Sequence, residues 1–319
     1  MGLYMQDLLF LLADNQFHSG EELGKELGVT RAAVWKKLKK LDEMGIDLHS
    51  VKGRGYRLPE KLELLSLEKM YELGLSLPAK LHFKTESTNG DVKKLIQAGD
   101  DLPILIVAEL QTQGRGRRGR QWQGGVGKNI MMSFGWHFDQ GATVVEGLSL
   151  AIGVAVSRAL KKYDVGDVSL KWPNDVLVDG KKICGILLEI VADQDTCDVV
   201  IGLGLNVSMS NRDMETVDQP WTDIRSHLDV VPGRNELLVT LVSEVEQVCV
   251  GFSSGDGLMA YITEWMQQDA LKNQKVKLIV GDREEYGVAR GIDPSGALLF
   301  EQDGVTRALY GGEVSVRKQ

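Results

Sequence analysis

The first sixty residues follow two hydrophobic periods in turn. Apolar residues recur at helical spacing over residues 3–13, and Ser19 with Glu22 three residues later forms a capping box that predicts a second helix. After a turn with glycine, Thr30 is placed to cap a third helix. Residues 46–58 then alternate between apolar and polar around a Gly-Arg-Gly turn, which predicts a β-hairpin. This order of elements is typical of a winged helix-turn-helix domain.

The middle of the chain mixes the two periods, which indicates strands and helices around a shared core. Asp179-Gly180 is a favoured hairpin turn, so residues 168–191 are predicted to form two strands joined by it. Further strands are predicted at residues 79–87, 103–111, 128–138 and 197–207. Helices are predicted at residues 89–97, 145–163, 235–252 and 258–268, and residues 210–233 are predicted to form a polar loop.

From Lys275 the pattern changes to four short strands separated by turn residues, which predicts a small closed β-barrel of about 45 residues. The predicted fold class is therefore α+β, in three domains. They are the winged helix-turn-helix at residues 1–62, a central mixed α/β domain at 63–272 and the small barrel at 273–319.

The charge distribution limits the classes of partner. The chain of 319 residues carries a net charge of −8, which argues against a general nucleic-acid coat protein. Residues 29–57 nevertheless hold eight Lys or Arg and three Asp or Glu, at the predicted third helix and hairpin. A local DNA-binding surface is therefore predicted there, and a solvated helix face is the alternative.

The cysteines and the N-terminus indicate the compartment. Cys184, Cys197 and Cys249 lie far apart without metal-ligand spacing, so we expect reduced thiols in a cytoplasmic protein. We expect no signal peptide, because the apolar run "LLFLL" is short and no Lys or Arg precedes it. No apolar run is long enough to cross a membrane.

Residues 111–124, "QTQGRGRRGRQWQG", concentrate four arginines among four glycines. A dinucleotide fingerprint needs a helix to begin here, and a Walker A loop needs Ser or Thr where Asn129 stands. An RNA-binding RG tract would be a disordered tail instead of a loop between core strands. The remaining interpretations are a loop that closes over an anionic ligand and a solvated basic loop.

Two other polar motifs interrupt apolar segments. "KWPND" at 171–175 places a lysine, an amide and a carboxylate at a strand edge, and Lys182 is expected opposite Asp175 on the returning strand. Ser87-Thr88-Asn89 begins a helix, either as a cap alone or as a cap that also binds a polar ligand. No Ser-His-Asp order or metal-ligand cluster is evident. The expected chemistry is thus electrostatic and positional, as in phosphoryl or nucleotidyl transfer.

In this order, "STN", "QTQGRGRRGRQW", "KWPND", "KKICGIL" and "GLGLN" closely resemble the motifs of the biotin–protein ligases. The added helix-turn-helix resembles the bifunctional form that also represses the biotin operon. The match runs from about residue 8 to residue 317. A lipoate-type ligase and a non-catalytic transcription factor that senses an adenylate are the alternatives.

The resemblance implies a reaction in two steps and a set of partners. Biotin reacts with ATP to form biotinoyl-5′-AMP, and a lysine of the biotin carboxyl carrier protein of acetyl-CoA carboxylase then takes the biotin. The domain at 63–272 is then the biotin ligase catalytic domain, and the barrel at 273–319 is SH3-like. The other expected partners are operator DNA and a second copy of the chain, which forms a homodimer with biotinoyl-AMP bound as corepressor.

The resemblance also implies roles for individual residues. Those expected in catalysis are Lys182, Arg117 and Asp175, with Asp175 orienting Lys182 or binding Mg²⁺. Those expected to bind biotin are Ser87, Thr88, Asn89, Gln111, Gly114, Arg115, Gly116, Arg117, Lys182 and Gly185. Those expected to bind ATP or the adenylate are Arg117, Arg120, Trp122, Lys171, Asn174, Asn206 and Arg317. Those expected to contact DNA are Thr30, Arg31, Ala32, Trp35, Lys36, Lys37 and Arg54.

Overall fold

A computed structural model describes the chain over residues 3–139, 145–192, 197–210, 213–280, 283–311 and 314–318. The outermost residues of the first and third predicted domains therefore lie outside the described residues.

The N-terminal domain is a winged helix-turn-helix, as predicted. Its elements are α1 (Leu3–Leu12), α2 (Gly20–Glu26), α3 (Arg31–Glu43), β1 (His49–Val51) and β2 (Gly55–Arg57), with β1 and β2 antiparallel.

Local hydrogen bonds explain where these helices begin. The Ser19 hydroxyl accepts from the Glu22 amide at 3.1 Å, and the Glu22 carboxylate accepts from the Ser19 amide at 2.8 Å, so the capping box is confirmed. Thr30 caps α3 by accepting from the Ala33 amide at 3.2 Å. The domain core is made by apolar residues of the three helices, and Leu64 and Val126 from outside the domain are buried in the same cluster.

The central domain is built on a seven-stranded sheet of order β3-β4-β5-β9-β8-β7-β6, in which only the β3–β4 pair is parallel. Its strands are β3 (Ala79–Thr85), β4 (Ile104–Gln111), β5 (Asn129–Phe138), β6 (Val168–Lys171), β7 (Asp175–Val178), β8 (Lys181–Ala192) and β9 (Cys197–Asn206).

The prediction of two strands over 168–191 was wrong, because the first of them is divided into β6 and β7. Pro173 has no N–H to give to a ladder, and the chain reverses direction around it, so that Lys171 pairs with Asp175. The predicted turn at Asp179-Gly180 is confirmed, with both residues at positive φ.

Helices cover the sheet, and the predicted polar loop includes a short 3-10 turn. They are α4 (Leu67–Glu72), α5 (Thr88–Ala98), α6 (Leu148–Lys161), α7 (Arg234–Ser253) and α8 (Ile262–Gln267). Almost every residue of α6 is buried, so this helix lies in the centre of the domain. Within residues 210–233, a 3-10 turn forms at Ile224–Ser226, and Trp221 pairs with Lys182 of β8.

The C-terminal domain is a five-stranded antiparallel sheet of order β13-β12-β11-β10-β14. Its strands are β10 (Lys275–Val280), β11 (Arg283–Ile292), β12 (Leu298–Gln302), β13 (Val305–Leu309) and β14 (Val314–Lys318). The sequence pattern missed β14, which pairs with β10 and places Arg317 opposite Lys277.

Candidate active site

A cavity of about 640 Å³ lies between the arginine-rich segment, the β6–β8 strands and the C-terminal domain. This volume suits a small-molecule ligand. The cavity brings together most of the predicted site residues: Ser87, Thr88, Asn89, Gln111, Arg115, Gly116, Arg117, Arg120, Trp122, Lys171, Asn174, Asp175, Lys182, Gly185 and Arg317.

A lysine–carboxylate pair lies in this cavity. The Lys182 Nζ is 2.6 Å from the Asp175 Oδ1, and the two side chains are 17% and 16% exposed. The backbone register differs from the prediction, because Asp175 pairs with Gly185 and Lys182 pairs with Leu177 across a β-irregularity. The side chains meet nevertheless, so Asp175 holds the ammonium group at a fixed place in the cavity.

Positive charge is crowded around this pair. Burial lowers the pKa of Lys171, and although Asp175 opposes this, cations nearby lower it further. Those cations are Lys182, Arg317 and Arg120. The pKa of Arg117 is also lowered, first by its burial and then by Arg118 and Arg120, against the attraction of Asp175. The site therefore favours an anionic ligand, whose charge would stabilise these side chains in their protonated form.

The arginine-rich segment folds back on itself over the cavity. Arg115 and Gln121 form an antiparallel bridge, and the Gly116 amide donates to the Arg120 carbonyl at 2.8 Å. A 3-10 turn at Arg117–Gly119 forms the tip, where Arg118 has a φ of 58°. The segment is thus a loop between two sheet strands, as the sequence predicted, and it makes defined contacts within itself.

Arg117 joins this loop to two other parts of the chain. Its guanidinium donates to the Asn174 side chain at 3.4 Å and to the carbonyl of Gly311, which follows β13. Arg117 therefore spans the cavity from the loop to the C-terminal domain.

Trp122 lies flat against the sheet inside the cavity. A Cβ at Gly204 would come within 2.3 Å of its ring, so only glycine leaves room for the indole there, and one at Gly185 would make a tight contact of 3.0 Å with it. The Lys182 Nζ lies 5.8 Å from the ring centroid. The indole Nε1 is buried and has no hydrogen-bond partner among the described atoms, which leaves a donor available to a ligand.

The polar floor of the cavity is built at the start of α5. Ser87 occupies the N-cap position, but its side chain makes no capping hydrogen bond. The interpretation of Ser87-Thr88-Asn89 as a helix cap alone is therefore not supported. The Gln111 Oε1 accepts from the Thr88 amide at 2.7 Å and lies 3.0 Å from the Thr88 hydroxyl. Asn89 is 5% exposed and is held by β5 and β8.

Two predicted binding residues do not line this cavity. The Asn206 side chain is 1% exposed, donates to the Thr222 carbonyl at 3.0 Å and accepts from Asn129 at 3.1 Å. Its amide makes these two protein contacts and does not line the cavity, so its predicted role toward the adenine stays a prediction. Gly114 lies instead at a second opening of about 550 Å³ on the outer side of the loop.

Several residues that the fold brings to these openings were not predicted from the sequence. Arg118 and the segment 218–220 line the main cavity, and Glu189 lines the outer one. Ser133 is fully buried and touches both Thr88 and Asn89. A signal existed for Ser133, because it is a hydroxyl within the apolar run "IMMSFGW" of β5.

The predicted DNA-contacting residues lie on one helix and the wing. Thr30, Arg31, Ala32, Trp35 and Lys36 are exposed, Lys37 is half-buried, and Trp35 keeps 56% of its surface. Arg54 of the wing is exposed and stacks over Phe17, with its guanidinium carbon 4.4 Å from the ring centroid. A large exposed aromatic beside cations is a surface suited to a nucleic-acid partner.

Two further features concern metal binding and membrane insertion. Among the described residues, no group of three or more His, Cys, Asp or Glu is arranged to hold a metal ion. Over the same parts of the chain, no helix is both long and apolar enough to span a bilayer.

Known protein families match all three parts of the chain. The biotin/lipoate A/B protein ligase family matches residues 84–206, an HTH domain matches 5–57, and the biotin protein ligase C-terminal domain matches 273–317.

Two relatives match the chain over almost its whole length. The bifunctional ligase/repressor BirA of Escherichia coli is 39% identical over 318 residues, which cover 97% of this chain and 96% of that protein. The protein of the same name from Salmonella typhimurium is 38% identical over 314 residues and 97% of this chain. A biotin protein ligase from Aquifex aeolicus, solved with biotin and ATP, has a TM-score of 0.65 at 24% identity and covers 76% of this chain and 99% of that one. That last likeness concerns the fold alone.

Proposed function

Because the chain belongs to the family of the bifunctional ligase/repressor BirA proteins, we propose that it is an ATP-dependent biotin–protein ligase and a repressor of biotin synthesis. The cavity is the observation that carries the proposed ligase activity. In it Lys182 and Asp175 form an ion pair beneath the arginine-rich loop and beside the polar side chains at the start of α5. Its substrates are biotin, ATP and the biotin carboxyl carrier protein of acetyl-CoA carboxylase.

In the first step a biotin carboxylate oxygen attacks the α-phosphorus of ATP, and pyrophosphate leaves. The two reactants are both anions, so the reaction needs positive charge where they meet. Lys182 is placed to lie against the carboxylate and the α-phosphate, and Asp175 holds its Nζ there at 2.6 Å. Arg117, Arg120 and Lys171 neutralise the phosphates, and a preorganised donor of this kind contributes about 3–4 kcal/mol to the transition state.

In the second step the amine of the carrier lysine attacks the carbonyl of the mixed anhydride, and AMP leaves. The anhydride is hydrolysed by water, so it must be covered until the carrier arrives. The loop from Arg115 to Arg117 supplies the cover, and the contact of Arg117 with Gly311 closes it against the C-terminal domain. Trp122 contributes a flat surface and a free indole N–H to the adenylate.

We propose that Mg²⁺ binds in the site together with ATP. It usually binds through one or two carboxylates together with substrate phosphates. Asp175 lines the cavity beside the cations and provides such a carboxylate, although it already holds Lys182. When bound, Mg²⁺ would neutralise phosphate charge, while Asp175 orients Lys182 whether or not it also binds the metal.

The repressor half rests on the N-terminal domain. The exposed N-terminal part of α3 with Arg31 and Ala32 is proposed to face base edges, and Lys36, Lys37 and Arg54 to contact phosphates. One such domain covers few base pairs, so we propose a homodimer on a palindromic operator, formed when biotinoyl-AMP binds. The three cysteines are free, in keeping with a cytoplasmic location.

The enzymatic half is tested by incubating the protein with biotin, ATP and Mg²⁺, with and without carrier protein. We expect pyrophosphate release, a bound biotinoyl-AMP and a carrier that gains the mass of one biotinoyl group. Lipoate in place of biotin separates the ligase types, since the matched family covers both. Binding of added biotinoyl-AMP, without pyrophosphate release and without carrier modification, would favour the non-catalytic sensor instead.

The repressor half is tested by footprinting the full chain and a variant that lacks residues 1–62, with biotinoyl-AMP present. We expect protection only by the full chain, and affinity that falls steeply with salt because lysines and arginines displace counterions. Footprints from the truncated variant would contradict the assignment. Sedimentation with and without biotinoyl-AMP, at one protein concentration, tests ligand-driven dimerisation.

A further inference from the structure

Glu189 of β8 is not among the predicted site residues, but hydrogen bonds join it to the cavity floor. Its Oε1 accepts from the Lys93 Nζ at 2.6 Å, and its Oε2 accepts from the Asn89 Nδ2 at 2.8 Å. The Arg115 guanidinium lies 4.0 Å away. Burial raises the pKa of Glu189, but the hydrogen bonds from Lys93 and Asn89 outweigh it and lower the pKa overall. The carboxylate is therefore ionised at neutral pH and can only accept hydrogen bonds.

This charge determines how the Asn89 amide is turned. Asn89 must direct its NH₂ to Glu189, and the same nitrogen lies 3.5 Å from the Leu187 carbonyl. The Asn89 Oδ1 then lies 2.6 Å from the buried Ser133 hydroxyl. An amide oxygen cannot donate, so Ser133 must give its single proton to Asn89.

The next link is the Thr88 hydroxyl, which is 2.6 Å from Ser133 and 3.0 Å from the Gln111 Oε1. The Ser133 proton is donated to Asn89. The contact between the Ser133 and Thr88 hydroxyls is therefore a hydrogen bond only when Thr88 is the donor. Gln111 remains held by the Thr88 amide at 2.7 Å. In this arrangement no proton points at the Thr88 oxygen from the protein side, so its lone pairs are available to a ligand N–H in the cavity.

We propose that Glu189 is a positioning residue that sets the direction of this hydrogen-bond chain and so makes Thr88 an acceptor for a ureido N–H. This inference rests on the proposed biotin ligase function. Without the carboxylate, Asn89 can turn over and donate to Ser133, which then donates to Thr88. The Thr88 oxygen loses acceptor capacity, and the floor discriminates less between a cyclic urea and a ring without N–H groups.

The test compares Glu189→Leu with Glu189→Gln in pyrophosphate release with biotin. Glu189→Leu is expected to raise the KM for biotin about tenfold, the usual worth of one hydrogen bond, with a smaller change in kcat. Glu189→Gln has a single oxygen, which faces the Lys93 ammonium because that group cannot accept, so its NH₂ faces Asn89 and the KM should rise as in Glu189→Leu. Biotin methylated on both ureido nitrogens, measured as a competitor, should bind wild type and Glu189→Leu equally, since it offers no N–H to lose.

Lys93→Met is the matched control, because it removes the other partner of Glu189 and leaves the Asn89 contact. Its KM should change by about twofold or less. If Glu189→Leu does not fold, the isosteric Glu189→Gln carries the test, and adding Ser133→Ala to it should restore the KM, because no Ser133 hydroxyl is then left to donate to Thr88. A wild-type KM in the folded Glu189→Leu variant, or an equal loss in Lys93→Met, would overturn the proposal. Failure of the wild type to form biotinoyl-AMP would instead overturn the proposed function.

Discussion

Arg234 and Glu109 form an ion pair that is almost fully buried, at 4% and 1% exposure, with 3.0 Å between the Nη1 and the Oε2. The guanidinium also donates to the Asn129 carbonyl at 2.6 and 3.1 Å and to the Glu63 carbonyl at 2.7 Å. All these partners lie far from Arg234 in sequence. The ion pair and its hydrogen bonds therefore attach the start of α7 to β5 and to the chain between β2 and α4, which is the linker from the N-terminal domain.

Glu109 binds two further groups from different parts of the chain. Its carboxylate accepts from the Leu65 amide at 2.5 Å and from the Gly127 amide at 3.2 Å. Arg234→Met leaves this charge buried without its cation, and breaking a buried pair in this way costs about 3–5 kcal/mol. That is a large share of the roughly 5–15 kcal/mol by which proteins are stable. Adding Glu109→Gln removes the unpaired buried charge, and the amide oxygen of the glutamine can still accept a hydrogen bond. The loss in the free energy of unfolding of the double variant should therefore be about 1–3 kcal/mol smaller than the sum of the losses of the two single variants.

The assay is urea unfolding followed by the fluorescence of the buried tryptophans of the central domain, which include Trp136, Trp172 and Trp265. Arg290→Met is the matched control: its partner is Glu301, and both side chains are well exposed at 40% and 32%. That change should cost about 1 kcal/mol or less. A similar cost for Arg234→Met, or strict additivity in the double variant, would refute the reasoning.

Three further predictions concern catalysis, pH and loop contacts. Lys182→Met should slow pyrophosphate release on the order of 10²–10³-fold with little effect on biotin binding, and the same change at the preceding, exposed lysine should leave the rate unaltered. The hydrogen bond to Asp198 raises the pKa of His137, so its stabilisation is complete below the unfolded value of about 6.5 and is lost as pH rises through the folded value. The Tm difference between wild type and Asp198→Asn should therefore close with rising pH, and a gap that widens would be contrary. The Lys128 Nζ lies 2.7 Å from the Asp213 Oδ2, and this ion pair connects the chain that follows the arginine-rich segment to the loop that contains Asp213. Lys128→Met should speed biotinoyl-AMP release about fivefold in a dilution assay. An unchanged release rate would count against this role of the ion pair.

The elements that the sequence predicted well are those fixed by short-range chemistry. The Ser19–Glu22 capping box and the Asp179-Gly180 turn act within four residues, so their outcome does not depend on the rest of the fold. The break between β6 and β7 depends on Pro173, which ends the ladder within a stretch that the hydrophobic pattern predicts as one strand. β14 was missed because it is short and charged and forms only by pairing with β10.

The same distinction applies to the site. Lys171, Asp175 and Lys182 lie within twelve residues, and two consecutive hairpins bring them together. The register of the second hairpin depends on an irregularity that no local pattern shows. Glu189 and Asn89 are 100 residues apart, and their contact follows from the packing of α5 on β8. Asn206 was predicted from its motif, but a buried amide is taken by whichever protein partners the fold places beside it.

One segment of the chain touches both proposed activities. Its arginine tip lines the cavity through Arg117, and nine residues later Val126 is buried in the hydrophobic cluster of the winged-helix domain. Glu109 binds the amide of Gly127 on this segment and that of Leu65 on the linker with the two oxygens of a single carboxylate. A ligand that displaces this segment would change contacts of the DNA-binding domain as well. By linkage, a dimer or a DNA complex that those contacts favour would then change the affinity for the ligand by the same factor. Covalent continuity and shared buried groups therefore join the two proposed sites, and no separate relay across the central sheet is needed for a signal between them.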